Sequence, residues 1–138
     1  MRVETQLSAF LENRAGVLAE LADDLARHGI GIRALTIANL VDHSVVRLVV
    51  SEPQKALHLL GERGVLVVNS SVLALDIPDE AGALAGVAKR LGRAGVNIEY
   101  AYGSSPVGGG RAVVYVRVSD LKKARAALAA RPSRPRRR

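Results

Sequence analysis

The chain has no cysteine and no tryptophan, and its 138 residues include only one phenylalanine and three tyrosines. Without cysteine it can form neither disulfides nor thiolate metal sites, a usage that fits a reducing cytoplasm, which is the expected location. With aromatics at 3%, the core has to be built from Val, Leu, Ile and Ala. No apolar run is long enough to span a bilayer, and Glu4, Thr5 and Gln6 interrupt the N-terminus early, so neither a membrane segment nor a secretory signal is expected. Apolar residues nevertheless make up 49% of the chain, as befits a folded protein rather than a disordered one.

Charge of one sign is also scarce in the body of the chain. The net charge is +7, but residues 1–66 carry −1 and residues 67–130 carry +3. The remaining +5 is concentrated in residues 131–138, which hold Arg131, Arg134, Arg136, Arg137 and Arg138 with two prolines and no apolar side chain. This segment reads as a basic, disordered tail. It is the one feature that favours nucleic acid, through salt-sensitive, sequence-blind attraction. A sheet that reads RNA also needs aromatics on its central strands. Val72-Leu73-Ala74-Leu75 has none and the neighbouring stretch only Tyr115, so nucleic acid is the alternative reading and the strands argue against it as a partner.

Catalytic constellations are missing too. His28, His43 and His58 have no ligand-type spacing, so no metal and no cofactor are expected. Gly29-Ile30-Gly31-Ile32-Arg33-Ala34 fits Gly-x-Gly-x-x-Ala, but a dinucleotide turn needs a strand before it and a helix after it, and here that order is reversed. Gly108-Gly109-Gly110 lacks the Lys-Ser/Thr of a phosphate loop. Ser104 and Ser105 have no histidine near them. The expectation is a protein that is not an enzyme.

What the chain does have is an internal repeat. At an offset of 66 residues, Asn13-Arg14-Ala15-Gly16-Val17-Leu18 falls on Asp79-Glu80-Ala81-Gly82-Ala83-Leu84. Leu21, Ala22 and Leu25 fall on Val87, Ala88 and Leu91, and Gly29-Ile30-Gly31-Ile32 on Gly95-Val96-Asn97-Ile98. Leu48-Val49-Val50 meets Val114-Tyr115-Val116 at the same offset. A repeat of this length is one supersecondary unit used twice. Units of about 65 residues bury only roughly 60% of their unfolded surface, so the two are expected to pack together and against a second chain.

Each copy reads as α+β. Residues 3–11 predict a strand, Asn13 an N-cap, and Val17, Leu18, Leu21, Ala22 and Leu25 one apolar helix face. Gly29 closes that helix at the C′ position. Strands Ile32–Asn39 and Ser44–Ser51 follow, then a helix from Pro53 to about Arg63 burying Ala56, Leu57 and Leu60, then a strand Val65–Val68. This β-α-β-β-α-β order is a split βαβ, or ferredoxin-like, unit. The second copy predicts strand Val72–Ile77, helix Gly82–Arg93, strands Val96–Tyr102 and Ala112–Val118, and helix Asp120–Ala130. Its hairpin (Gly103-Ser104-Ser105-Pro106 and Gly108–Gly110) reads as a mobile connection. No strand-like stretch follows Ala130, so this unit is expected to lack its last strand and leave an edge open. The domain reading is 1–68, 69–130 and the tail 131–138. Exposed Glu20, Asp23 and Asp24 on the first long helix, against Lys89, Arg90 and Arg93 on its counterpart, predict a weak mutual attraction if the helices lie side by side.

Two features point to a ligand. In each copy a capping Asn or Asp precedes a glycine at a helix start, where backbone N–H groups lack partners beside the positive end of the helix dipole. A carboxylate fits there, although plain N-capping accounts for most such turns. In Val96-Asn97-Ile98-Glu99-Tyr100-Ala101-Tyr102, Asn97 and Glu99 share one face, and an amide with a carboxylate suits an amino acid. The first copy has Gly31 and Arg33 at those places, so two sites would differ.

These residues together resemble the ACT family, and more narrowly its paired members without an enzyme domain. Gln6-Leu7-Ser8 through Glu12-Asn13-Arg14-Ala15-Gly16 is similar to that family's first loop, with Ala15 where proline is usual. Ile32-Arg33-Ala34-Leu35, Arg47-Leu48-Val49-Val50-Ser51 and Asn97-Ile98-Glu99-Tyr100-Ala101-Tyr102 are similar to its strands. The resemblance implies βαββαβ modules that bind a free amino acid and regulate a partner or their own assembly. It also implies a ligand between the first loop of one unit and the second strand of its neighbour. That pairs Leu11, Asn13, Arg14, Ala15, Gly16, Val17 and Leu18 with Asn97, Ile98, Glu99 and Tyr100. A second possible site pairs Asp79, Ala81, Gly82, Ala83 and Leu84 with Ile30, Gly31, Ile32 and Arg33. Leu11 stands where some family sites carry histidine, and Gly31 where asparagine is usual. A homodimer and a partner enzyme of amino-acid or aryl-acid metabolism are the implied associations.

Overall fold

The structure is a computed structural model describing residues 1–104 and 110–129. The element order is β1 (Arg2–Glu12), α1 (Val17–Arg27), β2 (Ile32–Asn39), β3 (His43–Val50), α2 (Pro53–Glu62), β4 (Leu66–Pro78), α3 (Ala83–Arg93), β5 (Ile98–Ser104), β6 (Arg111–Val118) and α4 (Leu121–Ala129). The chain divides into two compact units, one of Val3–Ser71 and one of Val72 onward together with Met1 and Arg2. Ser105, Pro106, Gly108 and Gly109 of the second hairpin, Ala130 and the arginine tail lie outside the described residues, and so does the expectation that the second unit lacks a last strand.

In the first unit β3 lies antiparallel between β1 and β2, with Leu7 opposite Leu48 and Leu48 opposite Leu35. Leu7, Ala9 and Leu11 of β1 and Val46, Leu48 and Val50 of β3 therefore share the face that meets the helices. There they pack with Leu21 and Leu25 of α1 and Ala56, Leu59 and Leu60 of α2. Leu59 takes the buried place expected of Leu57, which packs only partly against the core. Residues 66–71 of β4 belong to this unit, where Gln6 Nε2 donates to Ser70 Oγ at 3.4 Å.

The second unit repeats the scheme, with β6 antiparallel to both β4 and β5. Its core joins Leu73 and Leu75 of β4, Leu91 of α3, Val96, Val116 and Val118, but α4 contributes a single fully buried residue, Ala124. Among the described residues this unit runs β-α-β-β-α.

Two readings are corrected. The stretches expected as separate strands, Val65–Val68 and Val72–Ile77, form one strand, Leu66–Pro78; Asn69-Ser70-Ser71 contains no glycine or proline to turn the chain. The offset of the second hairpin's return strand is 68, not 66. Leu7 faces Leu48 whereas Leu73 faces Val116, so Leu48 corresponds to Val116 and the hairpin loop is longer by two residues.

Both long helices end as expected, with Gly29 (φ 70°) and Gly95 (φ 74°) in the left-handed region at C′, a conformation that costs other residues a clash at Cβ. The same helix position is used oppositely. Asp24 of α1 accepts two hydrogen bonds of 3.0 Å from Arg63, just beyond α2. Its counterpart Arg90 in α3 donates to the carbonyls of Ala127 (3.0 Å) and Leu128 (3.1 Å) at the end of α4, where the helix dipole favours a cation. Glu20 and Asp23 pair with Arg14 and Arg27, so each of the three acids of α1 has a partner inside its own unit.

Candidate functional site

The two loop-to-helix turns are built alike, and not by the expected caps. Asn13 does not cap α1. The helix is entered from Gly16 at φ 87°, and α3 from Gly82 at φ 89°, with no side-chain cap hydrogen bond at either. Asn13 instead holds the β2–β3 hairpin: its N–H donates to Asp42 O at 3.1 Å and its side-chain amide to Leu40 O at 3.3 Å. The Asp79 N–H makes the equivalent bond to Gly110 O at 3.0 Å. A left-handed residue just before the helix swings the preceding peptide outward, which only glycine tolerates at low cost.

The consequence is a set of open donors. Among the described residues, the N–H groups of Ala15, Gly16, Leu18 and Ala19 have no acceptor, and neither do those of Ala81, Gly82, Leu84 and Ala85. The first four N–H groups of any helix lack intrahelical partners, and they carry the positive end of its dipole. No side chain here takes their place.

The charge around the turns differs. Arg14 bridges Glu12 (3.1 Å) and Glu20 (3.1 and 2.8 Å) on the surface of the first unit. Hydrogen bonds from Arg14 hold the Glu20 carboxyl below the usual carboxylate range, and the same contacts raise the Arg14 guanidinium further. In the second unit Asp79 and Glu80 occupy the Asn13 and Arg14 positions. Neither carboxylate has a partner among the described residues.

The opposing strands also start alike. Gly31 N–H donates to Ser51 Oγ and Ser51 N–H to Gly31 O, both at 2.9 Å. Asn97 and Ser119 make the same clasp at 3.0 and 2.9 Å. The Asn97 side chain is exposed and lacks a partner among the described residues. Glu99 lies 3.6 Å from Arg117, and Arg33 lies 3.8 Å from Glu4. A Cβ on Gly31 would meet Ser51 Oγ at an ordinary 3.7 Å, so space does not require glycine there.

Not every expected residue presents its side chain. Leu11 and Ile30 are core residues, 8% and 3% exposed. Val17 and Leu18 pack partly against the same core. Asn13, Arg14, Ala15, Gly16, Asn97, Glu99, Asp79, Ala81, Gly82, Leu84, Gly31, Ile32 and Arg33 are exposed, and Ala83, Ile98 and Tyr100 half-buried.

One feature escaped the sequence reading. Inside the second unit, a cleft of about 390 Å³ lies between the start of α3 and the end of β5, lined chiefly by Ile77, Ala83, Leu84, Ala101, Ala112 and Val114, with Asp79 and Glu80 also on its wall. Registers explain it. Leu35 and Ile37 of β2 and Val17 of α1 are replaced at the matching positions by Ala101, Gly103 and Ala83. The signal was present in the repeat as three large-to-small changes converging on one place. Among the described residues no group of His, Cys, Asp or Glu is arranged to hold a metal, and no helix is long and apolar enough to cross a membrane.

Two βαββα-type units with this strand order and paired glycine turns define an ACT-type fold. The sequence matches the family described as ACT domain pair over residues 1–131, and the chain belongs to that family. It is similar to protein BT0572 from Bacteroides thetaiotaomicron, with 37% identity, a TM-score of 0.86, and coverage of 91% of this chain and 86% of that one. The fold is shared with the regulatory subunit of aspartate kinase from Thermus thermophilus in its ligand-free form (18% identity, TM-score 0.67, 92% and 91% covered). It is shared equally with the Thermus flavus regulatory subunit (17%, 0.60, 92% and 91%). No curated protein matches the chain.

Proposed function

We propose that the protein is a non-catalytic sensor of a free amino acid that passes occupancy to its own assembly, as a homodimer, or to a partner enzyme of amino-acid or aryl-acid metabolism. The observation that carries this reading is the duplicated turn, with open N–H groups around a left-handed glycine in each unit. A ligand carboxylate accepts from those groups without needing a cationic side chain. Its ammonium and side chain are taken by the Asn97 amide and Glu99, on the second strand of a neighbouring unit, where the family resemblance implies that a ligand sits.

Of the two turns, the first repels an anion less, because Arg14 offsets one of the two carboxylates it bridges, Glu12 and Glu20, whereas among the described residues nothing offsets Asp79 and Glu80. The strands differ as well, since Asn97 and Glu99 stand where the other copy has Gly31, which carries no polar side chain, and Arg33, which lies 3.8 Å from Glu4. We therefore place the amino acid at Asn13–Leu18 with Asn97–Tyr100, ahead of Asp79–Leu84 with Ile30–Arg33. Binding stabilises whatever arrangement it bridges by RT ln(1 + [L]/Kd), about 2.7 kcal/mol at a hundredfold excess over Kd.

Thermal melting of the full chain against each of the twenty amino acids, with light scattering, tests this. A rise in Tm with one or a few of them is expected, accompanied by a change in assembly. No shift with any at millimolar concentration counts against the sensor.

A further inference from the structure

We propose that the cleft inside the second unit is a binding site of its own, for a small molecule that joins a protonated amine to a branched apolar body. It lies wholly within one unit, between α3 and that unit's own β5 and β6. The preferred amino-acid site above instead pairs the Asn13–Leu18 turn with Asn97–Tyr100 and shares no residue with the cleft, whereas the second possible site shares Asp79, Ala83 and Leu84 with it; the cleft is therefore tested with probes that are not amino acids.

Size and lining come first. At about 390 Å³ the cleft falls within the roughly 300–1,000 Å³ typical of small-molecule sites. Its walls are the aliphatic groups of Ile77, Ala83, Leu84, Ala101, Ala112 and Val114, and Leu84 is 51% exposed. An exposed leucine over a concave apolar wall gains by covering. At the strand end, a Cβ on Gly103 would collide with Val113 O and stand 2.9 Å from Val114 Cα. The backbones of β5 and β6 therefore close on each other only with glycine, and no side chain from that position roofs the space.

Charge then selects the ligand's head. Asp79 and Glu80 line the cleft, and neither has a partner among the described residues. Arg111, which faces Pro78 across the β4–β6 ladder, donates to the Asp76 carbonyl at 3.0 Å, and among the described residues no lysine or arginine lines the cleft. The start of α3 opposes this with roughly half a positive charge, which two full negative charges outweigh. A cation is attracted and a simple anion is not. In the first unit the corresponding pair is Asn13, bound to the hairpin, and Arg14, bound to Glu12 and Glu20, so among the described residues the combination of this cleft with unpaired acids belongs to the second unit.

The test titrates the full chain with isoamylamine and with isovalerate, read by calorimetry and by backbone NMR shifts, with no amino acid present. Saturable binding of isoamylamine, with shifts at Ala83, Ala101 and Ala112, is expected. Isovalerate should bind at least about tenfold more weakly, a difference of about 1.4 kcal/mol. Ala101→Leu and Ala83→Val restore the larger side chains of the first unit, and each should lower isoamylamine affinity by about tenfold or more while preserving the circular dichroism spectrum. If one of them fails to fold, the other carries the test. Asp79→Asn combined with Glu80→Gln should weaken isoamylamine and narrow its margin over isovalerate. Equal binding of the two probes, undiminished affinity in a folded filling variant, or no isoamylamine binding at tens of millimolar would overturn the proposal.

Discussion

Where the first unit places Leu35, Ile37 and Val17 at the end of its edge strand and the start of its helix, the second places Ala101, Gly103 and Ala83. Beneath the helices the contrast repeats. The first core draws Ala56, Leu59 and Leu60 from α2, whereas α4 gives the second only Ala124 as a fully buried side chain. One backbone plan thus carries a fuller core in one unit and a leaner, clefted one in the other. Duplication fixes what the backbone needs (the glycine turns, the strand clasps, the helix-end glycines) and leaves filling and charge free to diverge. The turn donors are common to both units, but the acids beside them are bridged to Arg14 in one and have no partner among the described residues in the other.

The largest expected effects probe the cores. Leu25 and Leu91 are equivalent and both 0% exposed, so truncating either to alanine should cost about 2–5 kcal/mol in chemical denaturation. With less apolar surface around it, the second unit should suffer more from Leu91→Ala, seen as faster amide exchange throughout residues 72–104. A larger loss from Leu25→Ala would break the comparison. Next in size, Gly103→Ala drives a Cβ into the β6 backbone and should cost about 1–3 kcal/mol. Ile37→Ala at the matching place, already 40% exposed, should cost less than that. Gly16→Ala and Gly82→Ala meet open space but retain φ near +87° and +89°, so each should cost about 1–2 kcal/mol from backbone strain alone. Similar values for the two would sharpen the claim that the turns are equivalent.

The smallest effect concerns pH. Hydrogen bonds from Arg14 lower the Glu20 carboxyl in the folded chain. That pair therefore contributes stability above the unfolded-state value of Glu20, and the contribution is lost as pH falls through the lower folded value. Both side chains are largely exposed, so the change in stability should be slight. Carboxyl NMR should show the Glu20 midpoint moving up toward the ordinary value in Arg14→Ala; an unmoved midpoint would remove the distinction drawn between the two turns.

The repeat, its glycine landmarks and the β-α-β-β-α order were legible in the sequence because turn residues and buried periodicity recur at fixed offsets. Asn13 misled because capping residues are judged by type, while here the left-handed Gly16 enters the helix and the Asn13 amide serves the hairpin. The third-strand alignment slipped by two residues because the hairpin lengthened without any change in the apolar pattern, and valine runs align at either offset. The join of Val65–Val68 to Val72–Ile77 was hidden behind a polar triplet that stays extended. The cleft stayed out of sight because it depends on register: only when Ala101 is known to lie across from Val116, and Gly103 from Val114, do the three small residues converge on one space.

The most direct test of the sensor follows the backbone amides of Ala15, Gly16 and Leu18, and of Ala81, Gly82 and Leu84, by two-dimensional NMR while each of the twenty amino acids is titrated into the full chain. At least one amino acid is expected to shift the first set saturably, with Asn97 and Glu99 moving in step. If every amino acid leaves both sets unmoved at millimolar concentration, while the spectrum reports a folded protein, these turns are structural and the proposed function is wrong.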